Sequence, residues 1–226
     1  MNPNYAAVSR PRLSALEANK VLKNTYLLLS ATLAFSAVMA MLSMALNMPP
    51  MAYMISLIAA MVLGMFVLPK AAHSSAGIGV VFLITGLLGF GLGSILEIYL
   101  AMPNGSHIVA TALGGTGIIF LGLSGYALTS KKDFSFLGGF LFAGMMVVVL
   151  AIIASLFVQI PALSLTISAA VIMLMSGFIL FDTSRIINGG ETNYIMATYG
   201  IFLSIFNIFI SLLQILGITS NDYIQA

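Results

Sequence analysis

Seven apolar stretches, each long enough to cross a bilayer, constrain this chain more than any other feature. A membrane-spanning helix needs about 20 predominantly apolar residues, with roughly 17–25 as the working range. Stretches of this kind occupy residues 25–46, 51–68, 77–100, 107–128, 136–158, 162–181 and 194–217. Only 6% of the 226 residues are charged, against about 25% in a soluble domain. So few charges cannot cover the surface of a soluble fold of this size. The expected fold is an all-α integral membrane protein with seven transmembrane helices.

The residues between the stretches agree with that division. Pro49, Pro50, Pro69, Pro103 and Pro161 fall between spans, where a missing backbone donor does no harm. Tyr26, Tyr53, Tyr99, Tyr126 and Tyr194 stand near span ends, where a ring with a polar tip suits the membrane interface. The organisation expected is a polar tail over 1–24, a seven-helix membrane domain over 25–217 and a short tail over 218–226. The polar start followed by a long apolar stretch reads as a retained first span, not a cleaved signal. The loops are short, which leaves no room between spans for a soluble catalytic domain.

Orientation follows from the basic residues. With seven spans, one side of the membrane holds the N-terminal tail and the second, fourth and sixth loops. That side carries all 8 basic residues: Arg10, Arg12, Lys20, Lys23, Lys70, Lys131, Lys132 and Arg185. The opposite side carries none. Cytoplasmic loops accumulate Lys and Arg, so the N-terminus is expected in the cytosol and the C-terminus outside.

Several chemistries are disfavoured by what the chain contains. It has no cysteine, which excludes disulfides and thiol chemistry. Its two histidines, His73 and His107, are far apart and fall at predicted loops, whereas structural zinc needs four close ligands. No metal, cofactor or nucleic-acid partner is expected. Nor does any span carry a Ser/His, paired-Asp or His-Glu constellation, so an enzyme is not expected.

Helices in lipid associate through small residues that permit close approach and polar residues that bond across the interface. Gly86, Gly89, Gly93 and Glu97 recur at helical spacing in the third span, with Gly89 and Gly93 as a GxxxG pair. Gly115, Gly122 and Gly125 form a similar strip in the fourth. In the seventh, Gly200, Ser204, Asn207, Ser211 and Gln214 share one face, opposite Ile, Leu and Phe. Amide side chains facing hydrocarbon would leave polar groups unsatisfied at several kcal/mol each. That face should therefore look into protein or a wet cavity, making the last helix central.

Two acids lie within or beside a span, and an intramembrane acid is a functional candidate by default. Glu97 is near the outer end of the third helix, and Asp182 is at the inner end of the sixth, opening a turn that ends with Arg185. For Asp182 the spacing permits either a local ion pair with Arg185 or a functional group facing the bundle. Asp133, Glu191 and Asp222 read as solvated loop acids.

Three segments resemble the Bax inhibitor-1 family, also called the transmembrane Bax-inhibitor-motif family. They are FLGLSGYALTSKKDFSFLG over 120–138, SGFILFDTSRII over 176–187 with its Asp-Thr-x-Arg turn, and ATYGIFLSIFNIFISLLQILG over 197–217. The resemblance is strongest to the bacterial YccA branch. It implies six helices arranged around a central seventh and, for some bacterial members, a pH-sensitive calcium or cation leak. There, two aspartates near the cytosolic mouth share a proton, so that proton uptake switches the geometry of the pair. The first of these positions is Asp182 here, but the second, three residues before Asn207, is Ser204. Only half of the pair is present, and Ca²⁺ usually takes 6–8 oxygens, several of them charged. The candidate inner-mouth cluster is Asp182, Arg185, Ser204 and Asn207, with Glu97 as a second intramembrane acid.

The YccA branch implies a different role, that of a non-enzymatic regulatory protein of the bacterial inner membrane. Its members are modulators and substrates of FtsH, a membrane-anchored ATP-dependent protease. A polar tail of about 22 residues would span roughly 70 Å when extended, enough to reach an ATPase motor. Its Arg10, Arg12, Lys20 and Lys23 also serve as an orientation signal. The partners expected are the lipid bilayer, FtsH and, in the leak reading, cations.

Overall fold

The structure is a computed structural model that describes residues 15–157 and 160–225. Among the described residues there are seven long helices and no strand: α1 (Ala15–Ala45), α2 (Met51–Ala71), α3 (Ala76–Leu100), α4 (Gly105–Ser130), α5 (Leu137–Ser155), α6 (Pro161–Ile187) and α7 (Tyr194–Gln225). All seven are long and apolar enough to cross a membrane.

The helices outrun several of the expected spans, for local reasons. α1 begins at Ala15, so its first turns, with Glu17, Lys20 and Lys23, are polar helix; Arg10 and Arg12 lie outside the described residues. α2 runs through Pro69 instead of stopping before it. A π-helical turn over Leu63–Val67 precedes the proline, with the Leu68 amide reaching back to the Leu63 carbonyl. The widened turn relieves the clash a proline ring otherwise makes with the carbonyl four residues earlier. α6 continues past Phe181 to Ile187, so Asp182 and Arg185 stand on helix and not on a turn. It ends in a Schellman motif. Gly189 adopts φ 75°, and the Gly190 amide donates to the Arg185 carbonyl at 2.7 Å; glycine takes this left-handed conformation without a Cβ penalty. The C-terminal segment expected as a short tail is helical to Gln225.

α3 packs against α1, α2, α4 and α7, and its glycines show how. A Cβ on Gly89 would lie 2.2 Å from the Ser36 carbonyl oxygen, and one on Gly93 would lie 2.4 Å from that of Ala40. α1 and α3 are thus in backbone contact along the expected glycine strip. The strip expected on α4 is different: a Cβ on Gly122 or Gly125 would meet nothing within 4 Å, and one on Gly115 would meet only Leu212. Gly122 and Gly125 face open space, because α4 turns Ile108, Ala112, Thr116 and Ser124 inward instead.

α7 packs against α1, α3, α4 and α6, while α2 attaches mainly through α3 and α5 through α6. The α7 face opposite the polar stripe is also covered by protein. Ile201, Phe202, Ile205, Phe206, Phe209 and Leu213 join Leu29, Val81, Ile84, Leu88 and Leu92 in the main apolar core. Both faces of α7 therefore meet other helices.

Candidate functional site at the basic end of the bundle

Because successive helices alternate in direction, the start of α1 and the α2–α3, α4–α5 and α6–α7 connections share one end of the bundle. Every described basic residue lies there: Lys20, Lys23, Lys70, Lys131, Lys132 and Arg185. His73 sits at this end beyond α2, whereas His107 is in the first turn of α4 at the opposite end. Glu97 occupies the final turns of α3, also at that opposite end.

Asp182 is partly buried on the last turns of α6 and reaches across to α7. Its Oδ2 rests against Gly200, where an added Cβ would stand only 2.9 Å away. The absence of a side chain at Gly200 therefore makes the room for this carboxylate. The local ion pair that the spacing allows is not formed. Arg185 instead pairs with Glu191 at 3.3 Å, donates to the Gly190 carbonyl at 3.1 Å and lies over the Phe181 ring. The α6–α7 connection folds back beneath the end of α6, and this return brings Glu191 to the guanidinium. Glu191 is thus a half-buried ion-pair partner and not a solvated loop acid; its other oxygen accepts from the Asn193 amide at 2.9 Å.

Ser204 and Asn207 are turned inward but spend their donors on their own helix. Ser204 Oγ donates to the Gly200 carbonyl at 3.1 Å, and Asn207 Nδ2 to the Leu203 carbonyl at 2.8 Å. Among the described residues, no hydrogen bond joins either of them to Asp182. Farther along the same stripe, Gln214 accepts a 2.8 Å bond from Ser168 on α6. Gly200 and Gln214 both meet α6, so this face looks into protein, as its composition requires.

The residues that flank Asp182 do more than sequence reasoning indicated. Ser184 is fully buried; its Oγ accepts from the Phe134 amide at 2.8 Å and donates to the Lys132 carbonyl at 3.1 Å, tying the basic α4–α5 loop to α6. Asn188 adds a bond to the Ser184 carbonyl. Thr183 approaches Ser124 on α4, and Ser124 hydrogen-bonds Tyr26 on α1. Asn193 caps α7 through the amides of Ile195 and Met196 and donates to the Ala72 carbonyl beyond α2 at 2.9 Å. Thr198 donates to the Thr25 carbonyl of α1 at 3.2 Å. The hydroxyls of the SGYALTSKK and DTSR segments were visible in sequence, but their pairing required the fold.

Seven apolar helices, one end lined with every described basic residue and a buried polar stripe on the last helix define a multi-pass helical membrane protein. Its family can be stated: the model for the inhibitor of apoptosis-promoting Bax1 family matches residues 18–221, and the chain belongs to that family. It is 50% identical to a protein of Escherichia coli K12 named modulator of FtsH protease YccA, over 95% of this chain and 97% of that one. The same protein in another E. coli strain is named inner membrane protein YccA. An uncharacterized membrane protein of Vibrio cholerae is 53% identical, over 92% of this chain and 93% of its own length. With its seven apolar helices, this likeness makes the chain a multi-pass protein of the bacterial inner membrane.

Proposed function

We propose that this protein is a non-enzymatic modulator, and in turn a substrate, of the membrane-anchored protease FtsH. The observation that carries the reading is the 50% identity, across nearly the whole of both chains, to a relative named for that role. The N-terminus lies in the cytosol and the C-terminus outside, a reading supported by the collection of all 8 basic residues on one side. α7 is the centre of the bundle, a reading supported by its contacts with α1, α3, α4 and α6, with α2 and α5 attached outside them through α3 and α6. The polar tail is the handle that the protease engages, and the FtsH-facing surface is the basic end. Deleting residues 2–14, which lie outside the described residues, should slow turnover of the protein in cells and reduce its co-purification with FtsH. A full-length protein that neither co-purifies with FtsH nor alters degradation of an FtsH substrate would overturn the reading.

A second reading, a proton-sensitive cation leak, draws support from Asp182. Its carboxylate reaches α7 at Gly200, one turn before Ser204, while the Arg185 guanidinium pairs with Glu191. In reconstituted liposomes, Asp182→Asn should change the pH dependence of calcium flux. An absence of flux through the wild-type protein would end this reading.

A further inference from the structure

Five of the chain's 15 methionines, Met41, Met44, Met48, Met51 and Met54, stand three or four residues apart across the α1–α2 turn. This turn lies at the end of the bundle away from the basic loops. Methionine commonly fills gaps in an apolar core, but none of the five belongs to the core here. Met41, Met51 and Met54 are 61%, 66% and 51% exposed, and leucine would cover such positions equally well. What separates methionine from leucine is its polarizable thioether sulfur, a ligand for soft metal ions and for Cu(I) in particular. The backbone draws the middle three together. α1 closes with Asn47 in the left-handed conformation (φ 50°), and the Met48 amide donates to the Ser43 carbonyl at 3.2 Å. That bond folds Met48 back beside the last turn of α1, where Met44 stands. Pro49 and Pro50 then hold φ fixed, the Ala52 amide donates to the Pro49 carbonyl at 2.8 Å, and α2 opens at Met51. Three thioethers therefore issue from two consecutive tight turns.

We propose that Met44, Met48 and Met51 bind one Cu(I) ion through their sulfurs. Each side chain has three rotatable bonds, so the sulfurs can turn to one point while the backbone stays in place. The donor set chooses the ion. Ca²⁺ takes carboxylate and carbonyl oxygens, and Zn²⁺ takes Cys, His, Asp or Glu. Residues 41–54 contain no Cys, His, Asp or Glu, which leaves neutral thioethers, and these suit a soft monovalent cation. The same end of the bundle carries no lysine or arginine among the described residues to repel such an ion. The inference does not depend on the FtsH reading.

The full-length protein in detergent, loaded with Cu(I) under ascorbate, should keep one ion per chain against the chelator bicinchoninate. Because the chain has no cysteine, a sulfur shell around copper in X-ray absorption can come only from methionine. The triple variant Met44→Leu/Met48→Leu/Met51→Leu should yield the ion to the chelator. Exchanges of methionine for leucine conserve volume and are well tolerated. Met51→Leu alone, at an exposed position, should weaken retention and serves if the triple variant does not fold. Met61→Leu/Met65→Leu removes two exposed methionines farther along α2 and should hold copper as the wild type does. The proposal is overturned by a wild type that yields its copper, or by a shell of nitrogen and oxygen alone. Undiminished retention in the folded triple variant, or equal loss from the triple and the Met61/Met65 variants, overturns it too.

Discussion

Gly89→Ala is the most direct test of how α1 and α3 are joined. The added methyl would start 2.2 Å from the Ser36 carbonyl oxygen and 2.8 Å from the carbonyl carbon, both of them backbone. Restoring an ordinary contact of 3.4 Å requires the two helices to separate by about 1.2 Å. No rotamer change can relieve a clash with backbone. Overpacking of this kind costs about 1–3 kcal/mol, against a gain of up to about 1 kcal/mol from the better helix propensity of alanine. The expected net loss is about 0–2 kcal/mol against the wild type, and about 1–3 kcal/mol against a variant that keeps only the propensity gain. Gly122→Ala is the matched control, since its methyl meets nothing within 4 Å and only the propensity gain remains. Adding Gly93→Ala to Gly89→Ala should cost less than the sum, because one separation of the same pair of helices accommodates both methyls. The assay is unfolding in detergent micelles, followed by circular dichroism as SDS is added. If Gly89→Ala unfolds at the same point as Gly122→Ala, the backbone contact between α1 and α3 is wrong.

Two further outcomes follow from the polar bonds. Ser184→Ala removes both the acceptor for the Phe134 amide and the donor to the Lys132 carbonyl; leaving a part-buried donor unpaired costs about 1–3 kcal/mol. The α4–α5 loop should then be cut faster by trypsin at Lys131 and Lys132, and unchanged cleavage would show that the loop is not held by Ser184. Ser168→Ala with Gln214→Leu forms a double-mutant cycle across α6 and α7, expected to report a coupling of about 0.6 kcal/mol, typical of such bonds in membranes. A coupling of zero would mean that the bond is not made.

What the sequence disclosed, and what it hid, divides along physical lines. Span number and packing by the α3 glycines were legible because both rest on one-dimensional patterns, apolar length and helical spacing. Gly122 and Gly125 of α4 share the spacing yet face open space, since a small residue marks close approach only if a neighbour occupies that face. Asp182 and Arg185 sit at ion-pairing distance in sequence, but the outcome turned on Glu191, six residues beyond Arg185 and returned to it by the α6–α7 connection. Pro69 read as a helix stop because the π-helical turn that accommodates it leaves no mark in hydropathy. Long-range partners such as Tyr26 with Ser124, or Asn193 with Ala72, had no sequence signal at all.

These partners are distributed unevenly, with a mechanical consequence. The bonds joining Tyr26 to Ser124, Ser124 to Thr183, Thr198 to Thr25, Asn193 to Ala72 and Ser184 to the α4–α5 loop all lie at the basic end. In the other half, the bond from Ser168 to Gln214 is the one side-chain bond between helices among the described residues. At about 0.6 kcal/mol per bond, the basic end is held by roughly 2.4 kcal/mol more cross-helix bonding. Separation of α1 from α4 should therefore start at the end away from the basic loops, with the bond between Tyr26 and Ser124 as its hinge. A partner that engages the basic end meets a surface whose loops are already fixed. Any leak through the inner mouth would instead have to loosen the part of the bundle that is bonded best.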